Sequence, residues 1–294
     1  MQKNIARIVA FGDSLQDKGE LCRLLPLSKK ACHDGFFSNG QTAVYHLRDL
    51  LEVKYDQKIP LENFAIAAAL TSFDNPNPPL RNKAFPVTEQ IDRFESAHGR
   101  FQADDLVVIT GGGNNFFFSI APEPPYIHPT FVYKVASDLD RIIDKICRLG
   151  AKNIIISNVP DVTLTPLFNH TKKVPKWFIK WLKRFYCHRI KKENSKLEKK
   201  VEHLKSKYYQ VSIYLFDSQR FMRRLVEKPF EFGFESSSEA CIFSIGGFDL
   251  KGNIQADEEI ILKEDPETHL FWDLVHPTTK AHKVVAKEWL KFFS

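Results

Sequence analysis

Five short runs of branched and aromatic residues, with helical stretches between them, constrain the fold of this chain more than any other feature. They are Ile5–Phe11 (IARIVAF), Glu62–Ala67 (ENFAIA), Asp105–Thr110 (DLVVIT), Asn153–Asn158 (NIIISN) and Val211–Asp217 (VSIYLFD). Several end in small or polar residues, as buried strands do where the chain turns back to the surface. Between them, Ser38–Leu51, Thr88–Ala97 and Phe131–Leu149 carry apolar residues at helical spacing. Pro175–Lys207 reads as one long helical stretch, and Thr278–Phe293 closes the chain. Strands alternating with helices predict an α/β fold, a parallel sheet with helices on both faces. The 294 residues can bury a sizeable core,. With no internal repeat and no long low-complexity linker, residues 1–294 read as one domain.

The chain is 43% hydrophobic and 27% charged, ordinary values for a globular protein,. Of its 25 Phe residues, most belong to a core and some are available to line an apolar pocket,. No run approaches the ~18 apolar residues of a transmembrane helix. Met1–Ala10 does not read as a signal peptide, which leaves three readings: a mature form, a cytoplasmic protein, or export without a cleaved signal. The five cysteines are odd in number and show no CxxC spacing. They read as reduced structural thiols, with Cys22 and Cys32 the one local pair. Charge is concentrated: Lys172–Lys207 holds fourteen Lys/Arg against three Glu, a local +11 in a chain of net +6, so the remainder carries −5,.

Chemistry-bearing residues cluster at the ends of the strands. Phe11-Gly12-Asp13-Ser14-Leu15 directly follows the first strand. A serine at a strand-to-helix turn can point its hydroxyl into the crevice beyond the sheet, though Gly-Asp-Ser is also ordinary turn chemistry. A serine hydroxyl is a poor nucleophile without a base, and that base needs an orienting acid. Phe271-Trp272-Asp273-Leu274-Val275-His276-Pro277 supplies both, three residues apart before a helix. The bland reading of that block is a helix cap beside a surface His. Gly111-Gly112-Gly113-Asn114-Asn115 follows the third strand, where glycines let backbone approach substrate and an Asn amide can donate to an oxyanion,. Asn63 to Ala69 follows the second strand, and its backbone N–H groups can complete such a hole. Two Pro-rich loops, Asp74–Pro86 and Phe116–Pro129, are candidates for the rim,.

Together these blocks resemble the GDSL/SGNH hydrolase family over almost the whole chain. The resemblance places the nucleophile on Ser14, the acid and base on Asp273 and His276, and the oxyanion donors on Ser14, Ala68 and Asn114. It implies a three-layer α/β/α sandwich on a five-stranded parallel sheet, flavodoxin-like. Two positions depart from the family pattern: Ala68 stands where it has glycine, and Asn115 where it usually has Asp. Phe37-Ser38-Asn39-Gly40, Asn158-Val159-Pro160-Asp161, Pro229 to Phe234 and Val275-His276-Pro277-Thr278-Thr279 are similar to one branch. That branch holds lipases and acyltransferases, including thermolabile haemolysin-like phospholipases. Cys241 matches one of its cysteine positions, but no cysteine follows to be its partner.

Competing motifs are missing. There is no G-x-S-x-G elbow, no P-loop and no HExxH, and Gly111–Gly113 fails G-x-G-x-x-G because Phe116 holds the last position,. The expectation is therefore an enzyme without cofactor or metal. It would be a serine esterase acting on lipid acyl esters, a phospholipase A or lysophospholipase with scope for acyl transfer. A small-acyl esterase for acetylated sugars or aryl esters is the alternative within enzymes. A non-catalytic lipid- or partner-binding protein is the alternative outside them. Phe116, Phe117 and Phe118 are the expected acyl-binding residues. Lys172–Lys192 (KKVPKWFIKWLKRFYCHRIKK) sets aromatic residues four apart among Lys and Arg, so it reads either as a core-packed amphipathic helix or as peripheral contact with anionic membrane,. Nucleic-acid binding is disfavoured, because no nucleic-acid fold accompanies the charge.

Overall fold

All five expected strands form, and they share one parallel sheet in a computed structural model that describes residues 5–122, 125–127, 129–170 and 175–293. They are β1 (Arg7–Phe11), β2 (Leu61–Asn63), β3 (Asp105–Ile109), β4 (Asn153–Ser157) and β5 (Ser212–Phe216). The spatial order is β2-β1-β3-β4-β5, and every neighbouring pair is parallel. This is the flavodoxin-like order, in which the chain reverses direction across the sheet between β1 and β3 and opens a crevice beyond their carboxyl ends.

The sheet is buried on both faces, which explains why its strands read as continuous apolar runs. Side chains alternate along each strand. Val9, Phe11, Val107, Ile109, Ile154 and Ile156 face a core built with α2 (Val87–His98), α3 (Val135–Arg148) and α4 (Lys176–Lys207). Ile8, Ala10, Leu106, Val108 and Ile155 face the opposite core, built with α1 (Ala43–Tyr55) and α6 (Thr279–Leu290). A further helix, α5 (Ser218–Glu227), follows β5. A third cluster caps the carboxyl end of the sheet and includes Leu21, Phe37, Ile66, Cys241 and Trp272. All five cysteines are free. The thiols of Cys22 and Cys32 meet in this cap, and their contact lowers the pKa of Cys22 while raising that of Cys32.

Three expected elements differ in extent. The helix expected from Ser38 begins only at Ala43, because Ser38 and Asn39 bond across to the far end of the chain. Ser38 Oγ donates to the Pro277 carbonyl at 2.8 Å, and the Thr279 N–H donates to Asn39 Oδ1 at 2.8 Å. The stretch Phe131–Leu149 breaks at Lys134 into Pro129–Tyr133 and α3. The second strand ends at Asn63, so Ala65–Ala67 leaves the sheet and turns over β1, where the Ile66 N–H reaches the Gly12 carbonyl at 3.2 Å. The Phe116–Pro129 loop holds a short antiparallel pair, Ile120–Pro122 with Pro125–Ile127, and residues 123, 124 and 128 lie outside the described residues. Among the described residues, no helix is long and apolar enough to cross a membrane.

Candidate active site

Ser14 sits in the turn that leaves β1. The turn is possible because residue 12 is glycine: a Cβ there would lie 2.4 Å from Thr110 Oγ1 and 2.6 Å from its carbonyl oxygen. Gln90 of α2 clamps Gly12 from both sides, accepting from its N–H and donating to its carbonyl, each at 2.8 Å. The Asp13 carbonyl accepts from the N–H groups of Gln16 and Asp17, which closes the turn. Its carboxylate accepts from the Leu15 N–H, and burial pushes its pKa up.

The other half of the site comes from the opposite end of the chain. His276 Nε2 lies 2.8 Å from Ser14 Oγ, and His276 Nδ1 lies 2.7 Å from Asp273 Oδ2. Asp273 is fully buried and accepts three backbone N–H groups besides: Val275 and His276 at Oδ1, and Gly246 at Oδ2. A carboxylate so surrounded can only accept, so it receives the Nδ1 proton and leaves Nε2 with its lone pair toward the serine hydroxyl. Gly246 must itself be glycine. Its φ is 59°, and a Cβ would fall 2.9 Å from the Phe37 ring. Thr278 then caps α6 by accepting the Ala281 N–H, which fixes the backbone just after His276,.

Of the expected oxyanion donors, Ser14 and Asn114 line one cavity with His276, and Ala68 is not among the residues that line it. Asn114 lines the same cavity as Ser14 and His276, and its amide donates to the Ala69 carbonyl at 3.0 Å. Ala68 adopts φ 64°, the left-handed region that favours glycine, which gives a physical reason for the glycine the resemblance expects there,. Its segment is held by buried Asp17, which accepts the N–H groups of Glu20, Leu21 and Ala67. Burial pushes the Asp17 carboxyl up to about 7 against those donors. Asn115, the second departure, is fully buried. It accepts the Thr71 N–H at 3.1 Å and donates to Thr71 Oγ1 and to the Phe131 carbonyl, a donor role that an ionised Asp lacks.

The expected acyl-binding trio is divided. Phe117 lines the cavity. Phe116 does not: it is fully buried in the core beneath α4, edge-on to Tyr186 at 5.4 Å. Phe118 packs on the cap cluster. Consecutive residues of the short helix Gly113–Phe117 and its end point in different directions, so one of three reaches the site,. The same cavity is lined by Phe216 at the end of β5, by Phe221, Met222 and Leu225 of α5, and by Ala281, Val285 and Trp289 of α6. Nothing in the sequence marked those walls, since pocket-facing and core-facing residues share one apolar chemistry. Gly246 was also missed, although the Gly246-Gly247 pair is a turn signal,.

The basic stretch forms the first turns of α4 from Lys176 onward, and its first residues, 172–174, lie outside the described residues. Leu182 and Tyr186 are buried against the core, while Trp177 and Trp181 are 71% and 47% exposed. Core packing therefore accounts for one stripe of this helix and leaves the two tryptophans in solvent.

The family of GDSL-like lipases and acylhydrolases matches residues 8–289. Thermolabile hemolysin of Vibrio parahaemolyticus is 24% identical over 302 residues, covering 98% of this chain and 63% of that protein. The GDSL esterase/lipase EXL3 of Arabidopsis thaliana is 21% identical over 323 residues, covering 96% of this chain and 85% of that one. This chain thus spans less than two thirds of the hemolysin's length. Among solved structures, the acetylxylan esterase Axe2 of Geobacillus stearothermophilus superposes with a TM-score of 0.52 at 13% identity, covering 100% of this chain and 97% of that one.

Proposed function

The chain belongs to the GDSL-like lipase/acylhydrolase family, and on that premise we propose that it hydrolyses lipid acyl esters through Ser14, as a phospholipase A or lysophospholipase with scope for acyl transfer. The observation that carries this reading is the unbroken relay from Ser14 Oγ through His276 to buried Asp273. Ser14 attacks the ester carbonyl as His276 Nε2 takes its proton. Asp273 holds the imidazole tautomer and stabilises the imidazolium. The N–H groups of Ser14 and Ala68 and the Asn114 amide receive the oxyanion, each such donor contributing roughly 3–4 kcal/mol to the transition state. His276 then protonates the leaving alcohol. Water activated by the same nitrogen releases the acid, or another admitted alcohol takes the acyl group.

Two observations support a lipid substrate. The walls of the cavity beyond Ser14 are chiefly apolar. The start of α4 presents Trp177 and Trp181 among Lys176, Lys180, Lys183 and Arg184, a combination suited to an anionic membrane surface,. A small-acyl esterase is the second reading, favoured by the modest cavity of about 150 Å³. The complete relay speaks against a non-catalytic binding protein. The test is covalent labelling with a fluorophosphonate probe, together with ester turnover by Ser14→Ala. Labelling of Ser14 and an at least thousandfold loss in the folded variant are expected. Wild-type turnover by folded Ser14→Ala would overturn the assignment.

A further inference from the structure

The cavity at Ser14 does not end at the reacting atoms. It continues as an arm between the end of β5, α5 and α6, walled by Phe216, Phe221, Met222, Leu225, Val285 and Trp289. We propose that this arm is the acyl-chain pocket, that it takes an unbranched chain of about six carbons, and that Trp289 closes its far end. The proposal rests on the ester-hydrolase step of the reading above and narrows its substrate, from lipid esters in general to esters of acyl groups of about six carbons.

The placement of the arm follows from the chain itself. α6 starts three residues after His276, and Ala281, Val285 and Trp289 succeed one another at about one turn each along the wall. At 1.5 Å per residue, Ala281 and Trp289 are ~12 Å apart along the helix axis. An acyl group bonded to Ser14 Oγ therefore has a wall that begins beside the catalytic base and runs inward. The far end is shut: Trp289 is 2% exposed and meets Phe216 edge-on at 6.0 Å. The α5 side contributes Phe221, Met222 and Leu225, on neighbouring turns of one face. The cavity measures about 150 Å³. That volume includes the crevice at Ser14 as well as the arm, and an apolar cavity of that order holds a benzene molecule, so about six carbons is the most it takes,. Of the three phenylalanines expected from sequence, Phe117 is the one in the cavity lining, and the arm is walled by other residues.

The experiment is a chain-length profile of kcat/KM on p-nitrophenyl esters from acetyl to dodecanoyl, for wild type, Val285→Phe and Trp289→Leu. Burying a methylene favours the bound state by about fourfold. Wild-type kcat/KM is expected to rise roughly 250-fold over the four methylenes from acetyl to hexanoyl and to stop rising near there. Val285→Phe, which fills the arm from a half-buried position, should cut the hexanoyl-to-acetyl ratio at least about tenfold. Trp289→Leu should move the optimum up by two or more carbons. Should Trp289→Leu fail to fold, Val285→Phe and the wild-type profile still decide. A wild-type profile that is flat, or a folded Val285→Phe with the wild-type ratio, overturns the arm while leaving the esterase reading intact. Failure of every ester together with failure of Ser14 to label overturns both.

Discussion

Asp273 shows how a single side chain is committed from several directions at once. Its two oxygens take three backbone N–H groups and the His276 Nδ1 proton. In Asp273→Asn the amide NH₂ would replace either Oδ1, facing the Val275 and His276 N–H groups, or Oδ2, facing the Gly246 N–H and His276 Nδ1. Facing the imidazole, it stabilises the tautomer that carries its proton on Nε2, which cannot serve as a base toward Ser14. A fall in kcat of about 10⁴ is expected with the fold retained, the size of effect measured for that change in chymotrypsin-type triads. Steady-state kinetics beside circular dichroism checks it, and a loss below tenfold would contradict the role given to Asp273. His282 presents the opposite situation, a buried imidazole whose Nε2 has no partner among the described residues. Burial, aided by His46 and His276, pushes its pKa down to about 3. The unfolded chain takes up this proton near pH 6.5 while the native state refuses it, so the group's contribution is complete above pH 6.5 and is lost as pH falls toward 3. By pH 4.5 the loss is about 3 kcal/mol. His282→Leu should flatten the acid limb of stability by that order in denaturant titrations between pH 7 and 4.5. An unchanged acid limb would show that other groups govern it.

At the scale of elements, α4 joins two surfaces of different character. Its inner stripe, including Leu182, Tyr186, Ile190 and Leu197, is core, and Tyr186 donates to the Phe116 carbonyl at 2.9 Å. Its outer first turns carry Trp177 and Trp181, with Trp181 stacked on Phe185 at 5.5 Å. If those indoles seat the protein on lipid, Trp177→Ala with Trp181→Ala should lower binding to anionic vesicles at least fivefold. Added salt should weaken wild-type binding, because each nearby Lys or Arg contributes ~1 kcal/mol of screened attraction. Vesicle flotation at two salt concentrations measures both, and equal flotation of the double variant would leave the tryptophans as ordinary exposed residues. α6 is likewise divided along its length. Its first turn is tied to Asn39 and Gln41 through Thr279, whereas Val285 and Trp289 line the cavity.

In the whole molecule, the two helical layers share one sheet. Val9 and Phe11 belong to one core while Ile8 and Ala10, on the same strand, belong to the other. The site joins Ser14 to His276 across most of the chain's length, and Arg7 of β1 donates to Asp105 of β3 at 2.6 and 2.9 Å. No layer can open without exposing the sheet that both require. A single cooperative unfolding transition is therefore expected, with calorimetric and van't Hoff enthalpies equal. Two resolved transitions in scanning calorimetry would contradict a single domain.

The sequence by itself determined the alternation of strands and helices, because short β-branched runs and three-to-four spacing are local properties of consecutive residues. It also marked Ser14, Asn114, Asp273 and His276, whose residue types suit the proposed chemistry and which the structure brings to one cavity and its hydrogen-bonded relay. Tertiary structure alone decided where α1 begins, since Ser38 and Asn39 give up helix to bond Pro277 and Thr279. It decided that Phe116 is core and Phe117 is site, because three adjacent phenylalanines differ only in direction. It decided that Gly246, far from any sequence motif, supports Asp273. It also placed the cavity wall on α5 and α6, where apolar residues facing a void and those facing a core have the same composition. Only the packing of one helix against another leaves a void between them.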